Sequence, residues 1–127
     1  MESTPELLDS VRRTRANLAQ VGPGRVRSEG DFARVALPNA DADVLRDLLL
    51  EEEADVVLEI GLAYGVSALA IAEALISRGR SRGAHLIIDA FQDHFHDAGM
   101  ESDRDSGTPR TCVHCCASVL SWPCLGS

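Results

Sequence analysis

Six residues around two predicted strands have the types and spacing of a small-molecule site. They are Glu59, Gly61, Ala63, Gly65, Ser67 and Asp89. Glycine at 61 and 65, with the small Ala63 between them, lets the backbone come close to a ligand. The helix that opens after Gly65 presents backbone N–H groups to whatever lies in front of it. Asp89 adds an acid at the carboxyl end of the next strand, so the combination indicates a nucleotide-like ligand.

A strand–loop–helix–strand unit must position these residues. The run 55–60 is apolar at 56, 57, 58 and 60, with Glu59 interrupting it near its end, as expected of a strand covered on both faces. An alanine-rich helix is predicted over 66–78 and stops at Gly79. A second apolar strand, 84–88, then leads to Asp89. This βαβ unit predicts two parallel strands joined by a right-handed crossover.

The residues before this unit predict two further helices. A helix from Ser3 to about Gln20 has apolar residues at helical spacing, and its Arg12, Arg13 and Arg15 are interpreted as a solvated face. Residues 25–38 are predicted to form a loop or extended segment. Asn39 or Asp41 then caps the second predicted helix.

The glycine spacing separates this loop from two common nucleotide-binding motifs. It reads Glu-x-Gly-x-x-x-Gly, whereas a dinucleotide-binding Gly-x-Gly-x-x-Gly loop would need glycine at position 63. NAD binding would share Asp89 but is disfavoured by this spacing. No Gly-Lys-Ser/Thr follows, which excludes a P-loop. Asp89 lies 24 residues after Gly65, and this acid after a second strand strengthens an otherwise weak motif.

The segment from Val56 to Leu75 resembles motif I of the class I S-adenosylmethionine-dependent methyltransferases. Its Glu59-Ile60-Gly61 and Gly65-Val66-Ser67 pieces are most similar to the small O-methyltransferase branch. The segment from His85 to Gln92 resembles the second strand and acidic tip of the same family. The resemblance covers roughly 37–100. It implies an α/β fold, a Rossmann-like three-layer sandwich of which this chain holds the N-terminal half.

The same resemblance implies a role for each candidate residue. Glu59 would bind the ammonium group of S-adenosylmethionine, Ser67 its carboxylate, and Asp89 the two ribose hydroxyls. Phe91 would flank the adenine. The residues that would line the methionine half of the cofactor are Gly61, Ala63 and Gly65.

Each candidate also has an interpretation without a ligand. Glu59 can be a strand-end acid, and Asp89 can cap the turn that follows it. Ser67 is equally well read as an ordinary first-turn residue of the helix. Tyr64 is expected to pack against the pocket or to cover it.

The chain after Asp89 lacks the pattern of the rest of such a domain. The family's sheet has seven strands, but the 38 remaining residues show no further strand, and the composition changes near Glu101. We therefore predict a partial cofactor-binding domain over 1–100, with a short helix at 91–100, and an irregular cysteine-rich tail over 101–127. Our hypothesis is a truncated chain whose tail is an out-of-frame reading.

No catalytic residue or metal ligand is assigned in this part of the chain. His94 and His96 are interpreted as surface residues of the short helix. A single Cys-x-x-Cys pair with no second well-spaced pair argues against a zinc site. The side chains considered for that site are Cys112, His114, Cys115, Cys116 and Cys124.

Charge and composition limit the classes of partner that the chain is expected to bind. The net charge of −8, from 12 arginines and 20 acidic residues, argues against nucleic acid and anionic membranes. No apolar stretch is long enough to span a membrane and no signal region is recognisable, so the cytoplasm is the expected location. We expect a methyltransferase that acts on an oxygen of a small-molecule acceptor. The alternative is a non-catalytic interaction protein that pairs with a partner, or with itself as a homodimer, through an exposed sheet edge.

Overall fold

Helices pack on one face of a short parallel sheet in the computed structural model, which describes residues 4–23, 30–80 and 84–89. The elements in chain order are α1 (Thr4–Val21), α2 (Asp31–Val35), α3 (Asn39–Glu51), β1 (Val57–Ile60), α4 (Val66–Ser77) and β2 (His85–Ile88). The predicted cap Ser3, the helix predicted at 91–100 and the cysteine-rich tail lie outside the described residues.

The two strands pair in parallel, which confirms that prediction. The register runs from Val57 opposite His85 to Ile60 opposite Ile88. The ladder continues past β1, because the Gly61 N–H donates to the Ile88 carbonyl at 2.8 Å. Both strands begin later than the sequence suggested, at Val57 and His85. The three-layer sandwich stays a prediction, since the described residues supply only this one pair of strands.

Helix α4 lies at the centre of the packing. Its residues from Val66 to Ile76 are all buried except Ser67, which is half-buried. Alanine at 68, 70, 72 and 74 leaves little side-chain bulk, so neighbouring helices can approach closely. Val11 of α1 packs in one cluster with Leu69 and Leu75, and Ala42 of α3 packs in another with Ala70.

A buried ion-pair network joins the three long helices, and it makes the prediction of a solvated arginine face wrong for Arg15. Arg15 Nη2 lies 2.9 Å from Glu73 Oε2, and the Glu73 side chain is only 3% exposed. Arg12 and Arg46 approach Glu73 Oε1 at 3.0 and 3.5 Å. Arg15 Nη2 also lies 2.6 Å from Asp43 Oδ1, and this hydrogen bond lowers the pKa of the Asp43 carboxyl. The helical spacing of α1 did not reveal the acid that faces Arg15 from α4.

Two local features differ from the sequence predictions. The segment predicted as a loop contains α2, whose Phe32 ring packs edge-to-face on Tyr64 at a centroid distance of 5.3 Å. Pro38, rather than Asn39 or Asp41, occupies the cap position of α3, with no side-chain capping bond. The Asn39 amide oxygen instead accepts a hydrogen bond from Arg15 Nη1 at 3.2 Å.

The described helices cover one face of the sheet only. On that face Glu59, His85 and Ile87 are buried. On the other face, which we call the open face, lie Leu58, Ile60, Leu86 and Ile88. Leu58 is 56% exposed and Ile60 is 81% exposed. The predicted cover on both faces of β1 is therefore not provided by the described residues.

Candidate functional site

The loop between β1 and α4 has a backbone that explains its small residues. Gly61 and Gly65 have φ values of +85° and +83°, and Ala63 also lies at a positive φ of +46°. A β-carbon added at Gly61 would meet no atom within 4 Å among the described residues, so glycine is needed there for its backbone angle and not for space. Gly65 occupies the cap position of α4 and supplies no side-chain capping bond.

Asp89 reaches this loop from the end of the neighbouring strand. Its carboxylate Oδ2 accepts a hydrogen bond from the Leu62 N–H at 2.7 Å, and the residue is buried. The predicted meeting of the acid after β2 with the loop after β1 is therefore present. The bond also orders the loop, because it gives a buried backbone N–H the partner that it requires.

Glu59 lies on the helix-covered face and joins three elements. Its Oε1 accepts a hydrogen bond from the Ser67 hydroxyl in the first turn of α4. Its Oε2 lies 2.9 Å from His85 Nε2 in β2. The structure thus brings together Glu59 and Ser67, two of the predicted ligand-binding residues, and adds His85, to which the sequence had assigned no role.

His85 is completely buried, and among the described residues one of its two ring nitrogens has a partner. Its Nδ1 has no hydrogen-bond partner among the described residues. A proton on Nδ1 would be a buried donor without an acceptor, which is costly. The geometry therefore favours a ring proton on Nε2, donated to Glu59 Oε2.

The order of Ser67, Glu59 and His85 excludes a serine nucleophile relay. In a serine nucleophile relay the imidazole contacts the hydroxyl directly and takes its proton. Here the carboxylate of Glu59 lies between Ser67 and His85. Ser67 is therefore not activated by His85, and the cluster is suited to binding a group that donates hydrogen bonds.

The remaining candidates are distributed as follows. Gly61 is exposed, Ala63 is half-buried, and the buried Tyr64 donates from its hydroxyl to Asp31 Oδ2 at 2.5 Å, consistent with its predicted packing role. Phe91, His94, His96 and the cysteine cluster lie outside the described residues. Within 4–23, 30–80 and 84–89, no group of three or more His, Cys, Asp or Glu side chains could hold a metal ion.

The sequence contained only one signal for His85, a polar residue within the apolar run 84–88. Its contact with Glu59 depends on the observed register, which aligns Val57 with His85 and so places Glu59 and His85 on the same face. The bond from Leu62 to Asp89 had no such signal, because its donor is a backbone group.

None of the described helices is long and apolar enough to cross a lipid bilayer. Comparisons with protein-family models, with curated proteins and with solved structures found no match.

Proposed function

We propose that this chain binds S-adenosylmethionine at the loop after β1 and belongs to a methyltransferase that acts on an oxygen of a small-molecule acceptor. The observation that supports the proposal most is the hydrogen bond from the Leu62 N–H to Asp89. It brings the acid that follows β2 to the glycine-bracketed loop that opens α4. A ligand carrying a sugar and an amino acid needs both features at one end of the sheet.

The residues at this end fit the chemical groups of the cofactor. The carboxylate of Glu59 suits the ammonium group. A carboxylate has about four lone-pair sites, so the hydrogen bonds from Ser67 and His85 leave lone pairs that can accept from a further donor. The first-turn N–H groups of α4 have no partner within the helix and suit the cofactor carboxylate. Asp89 suits the ribose hydroxyls. When bound, the cofactor supplies an electrophilic methyl group.

The protein's contribution to the reaction would be positioning. Holding the methyl group against an acceptor converts a bimolecular step into an effectively unimolecular one. Glu59, fixed by bonds from α4 and β2, would orient the amino-acid end, and Asp89 would orient the sugar. No described residue is assigned as the base that removes the acceptor's proton.

Calorimetric titration with S-adenosylhomocysteine tests the binding step. We expect saturable binding to the wild-type chain and a loss of about tenfold or more in affinity for Asp89→Asn, since two charge-assisted hydrogen bonds weaken. The asparagine oxygen can still accept from the Leu62 N–H, so the loop should keep its shape. Asp41→Asn, an exposed residue of α3, is the matched control and should bind as wild type does.

Two results would reject the proposal. The first is no heat of binding by a wild-type chain whose circular dichroism shows it to be folded. The second is binding of equal affinity in wild type and Asp89→Asn.

A second function has one observation in its favour. Among the described residues each strand has a neighbour on one side only, so both outer edges of the sheet carry unpaired backbone groups. A non-catalytic interaction protein would use such an edge to pair with a partner strand or with a second copy. Sedimentation velocity over a hundredfold range of concentration tests self-pairing. Dimerisation without binding of S-adenosylhomocysteine would favour this function over the first.

A further inference from the structure

His85 places a polar ring in the buried face of the sheet, where its strand neighbour is aliphatic. His85 and Ile87, the two β2 residues on that face, are both 0% exposed. Ile87 packs there with Leu62 and Ala68, as an apolar strand residue should. A buried imidazole gives up its hydrogen bonds to water, so His85 needs a polar partner in the protein that an aliphatic residue would not need.

The partner is Glu59, and the register of the sheet explains how the two meet. Glu59 lies opposite Ile87, while His85 lies opposite Val57, two positions nearer the amino ends of the strands. Residues two positions apart share a face, so both side chains lie on the helix-covered face. Glu59 Oε2 and His85 Nε2 are 2.9 Å apart.

The surroundings of the ring select the nitrogen that carries the proton. Nδ1 of His85 is buried and has no hydrogen-bond partner among the described residues. A proton on Nδ1 would therefore lose its bond to water without a replacement, whereas a proton on Nε2 is donated to Glu59. His85 is thus a donor directed at one oxygen of this carboxylate.

The other oxygen of Glu59 is held by a second donor. Oε1 accepts from the Ser67 hydroxyl in the first turn of α4. With one oxygen bonded to the helix and the other to the sheet, the carboxylate cannot turn without breaking a hydrogen bond. The lone pairs that remain on Glu59 therefore have fixed directions.

A carboxylate held in this way suits a small ligand group with several donors. The side chain of Glu59 is 8% exposed, so only a small group can reach it. A primary ammonium group carries three N–H donors on one atom and has the opposite charge. Hydrogen bonds between charged partners are about twice as strong as those between neutral ones, provided that the geometry is good.

We propose that His85 is a positioning residue, which orients the Glu59 carboxylate to accept from the ammonium group of the cofactor's amino-acid half. Ser67 has the same role at the other oxygen. Its single hydroxyl proton is donated to Glu59, and not to the cofactor carboxylate as the resemblance implies. This inference rests on the proposed function, and it makes recognition of the amino-acid half depend on a residue that does not touch the ligand.

Two nucleoside ligands separate positioning from a general effect on the fold. S-adenosylhomocysteine carries the amino-acid half, whereas 5′-methylthioadenosine has the same base and sugar but lacks it. In calorimetry we expect His85→Leu to weaken S-adenosylhomocysteine binding by about fivefold or more, because Glu59 loses its orientation. Binding of 5′-methylthioadenosine should stay within about twofold of wild type, since it does not use Glu59.

His85→Gln is the matched variant. The amide nitrogen of glutamine can donate to Glu59 in place of Nε2. Its affinity for S-adenosylhomocysteine should therefore stay within about twofold of wild type. Recovery by glutamine but not by leucine would identify the donated hydrogen bond, and not the bulk of the side chain, as the contribution of His85.

A measurement on the wild-type chain does not depend on any variant folding. The Nε2 proton of His85, one of four histidines, should give a ring N–H signal in nuclear magnetic resonance that is protected from exchange. Nuclear Overhauser contacts with Ile87 would assign it. Saturation with S-adenosylhomocysteine should shift this signal, because the ammonium group binds the same carboxylate. Saturation with 5′-methylthioadenosine should leave it in place.

Three outcomes would overturn the inference. The first is an equal effect of His85→Leu on both ligands, including no effect on either. The second is an unshifted His85 signal at saturating S-adenosylhomocysteine. In both cases the wild-type chain still binds S-adenosylhomocysteine, so the proposed function would stand. The third is no binding by the folded wild-type chain, which would overturn the proposed function as well.

Discussion

Glu59 of β1 and His85 of β2 are linked by a buried hydrogen bond of 2.9 Å between Oε2 and Nε2. Because Ser67 donates to the other oxygen of the same carboxylate, Glu59 ties both strands to the first turn of α4. The loop from Gly61 to Gly65 lies between these anchored elements. A ligand that binds to this loop would therefore meet a backbone whose two ends are already fixed.

Replacing Glu59 by glutamine should destabilise the fold. A glutamine offers one oxygen in place of two, and its amide nitrogen would face a donor from His85 or Ser67. The resulting buried and unsatisfied donor should lower the free energy of unfolding by about 1–3 kcal/mol. Urea denaturation followed by circular dichroism measures this change.

The matched control for this substitution is Glu52→Gln, at an exposed acid just after α3. It should leave the free energy of unfolding within about 0.5 kcal/mol of wild type. Equal stability of Glu59→Gln and wild type would mean that the carboxylate does not hold its two donors as described.

The sequence predicted the elements around the site because each is marked by a strong local pattern. Short apolar runs bounded by glycine predicted both strands, and the alanine-rich run from Val66 predicted α4. Asp89 was placed at the loop by topology alone, since the carboxyl ends of parallel strands meet at one edge of a sheet. Its bond to the Leu62 N–H agrees with that placement.

The parts that the sequence did not predict depend on pairs that are distant in the chain. Arg15 was read as solvated because nothing in α1 indicates that Glu73, 58 residues later, is buried against it. Asn39 or Asp41 was expected to cap α3, but the Asn39 amide oxygen accepts a hydrogen bond from Arg15. In both cases a tertiary contact overrides a local preference, and neither partner is visible from spacing within one helix.

Removing one partner from the buried ion-pair network around Glu73 should lower the free energy of unfolding. Glu73→Gln removes the buried carboxylate that Arg15 shares with Arg12 and leaves Arg15 paired with Asp43, so we expect a loss of about 1–3 kcal/mol in the free energy of unfolding. Urea denaturation measures the loss. Arg13→Gln is the control, because Arg13 is an exposed neighbour on α1 whose distance to Asp9 is 3.9 Å. Similar losses for the two variants would contradict a buried network.

Acid should remove the stabilisation contributed by Asp55. Hydrogen bonding to Arg78, helped by the charge of Arg80, lowers the pKa of the Asp55 carboxyl below its ordinary value of 3.8. A group whose pKa is lower in the folded state stabilises the fold above its unfolded pKa and loses that effect as the pH falls through its folded pKa. The contribution is therefore complete above about pH 4 and declines below it.

The variant Asp55→Asn tests this pH dependence through the urea midpoint between pH 2 and 6. Its midpoint should fall less steeply below pH 4 than that of wild type. Asp41→Asn, at an exposed acid of α3, should keep the wild-type slope. An unchanged slope in Asp55→Asn would show that its ion pairs with Arg78 and Arg80 do not persist in solution.

Gly61 and Gly79 both have a positive φ, so comparing their alanine variants distinguishes an effect on stability from an effect on ligand binding. Gly61 and Gly79 have φ values of +85° and +70°, and in both cases an added β-carbon would meet no described atom within 4 Å. Alanine at either position must adopt a left-handed conformation, which costs about 1–2 kcal/mol. Gly61→Ala and Gly79→Ala should therefore be destabilised by similar amounts in urea denaturation.

Only Gly61 lies in the loop, so only Gly61→Ala should also weaken S-adenosylhomocysteine binding in calorimetry. If Gly79→Ala, at the end of α4, weakened binding equally, the loss would reflect general destabilisation and the loop would no longer be supported as the ligand site.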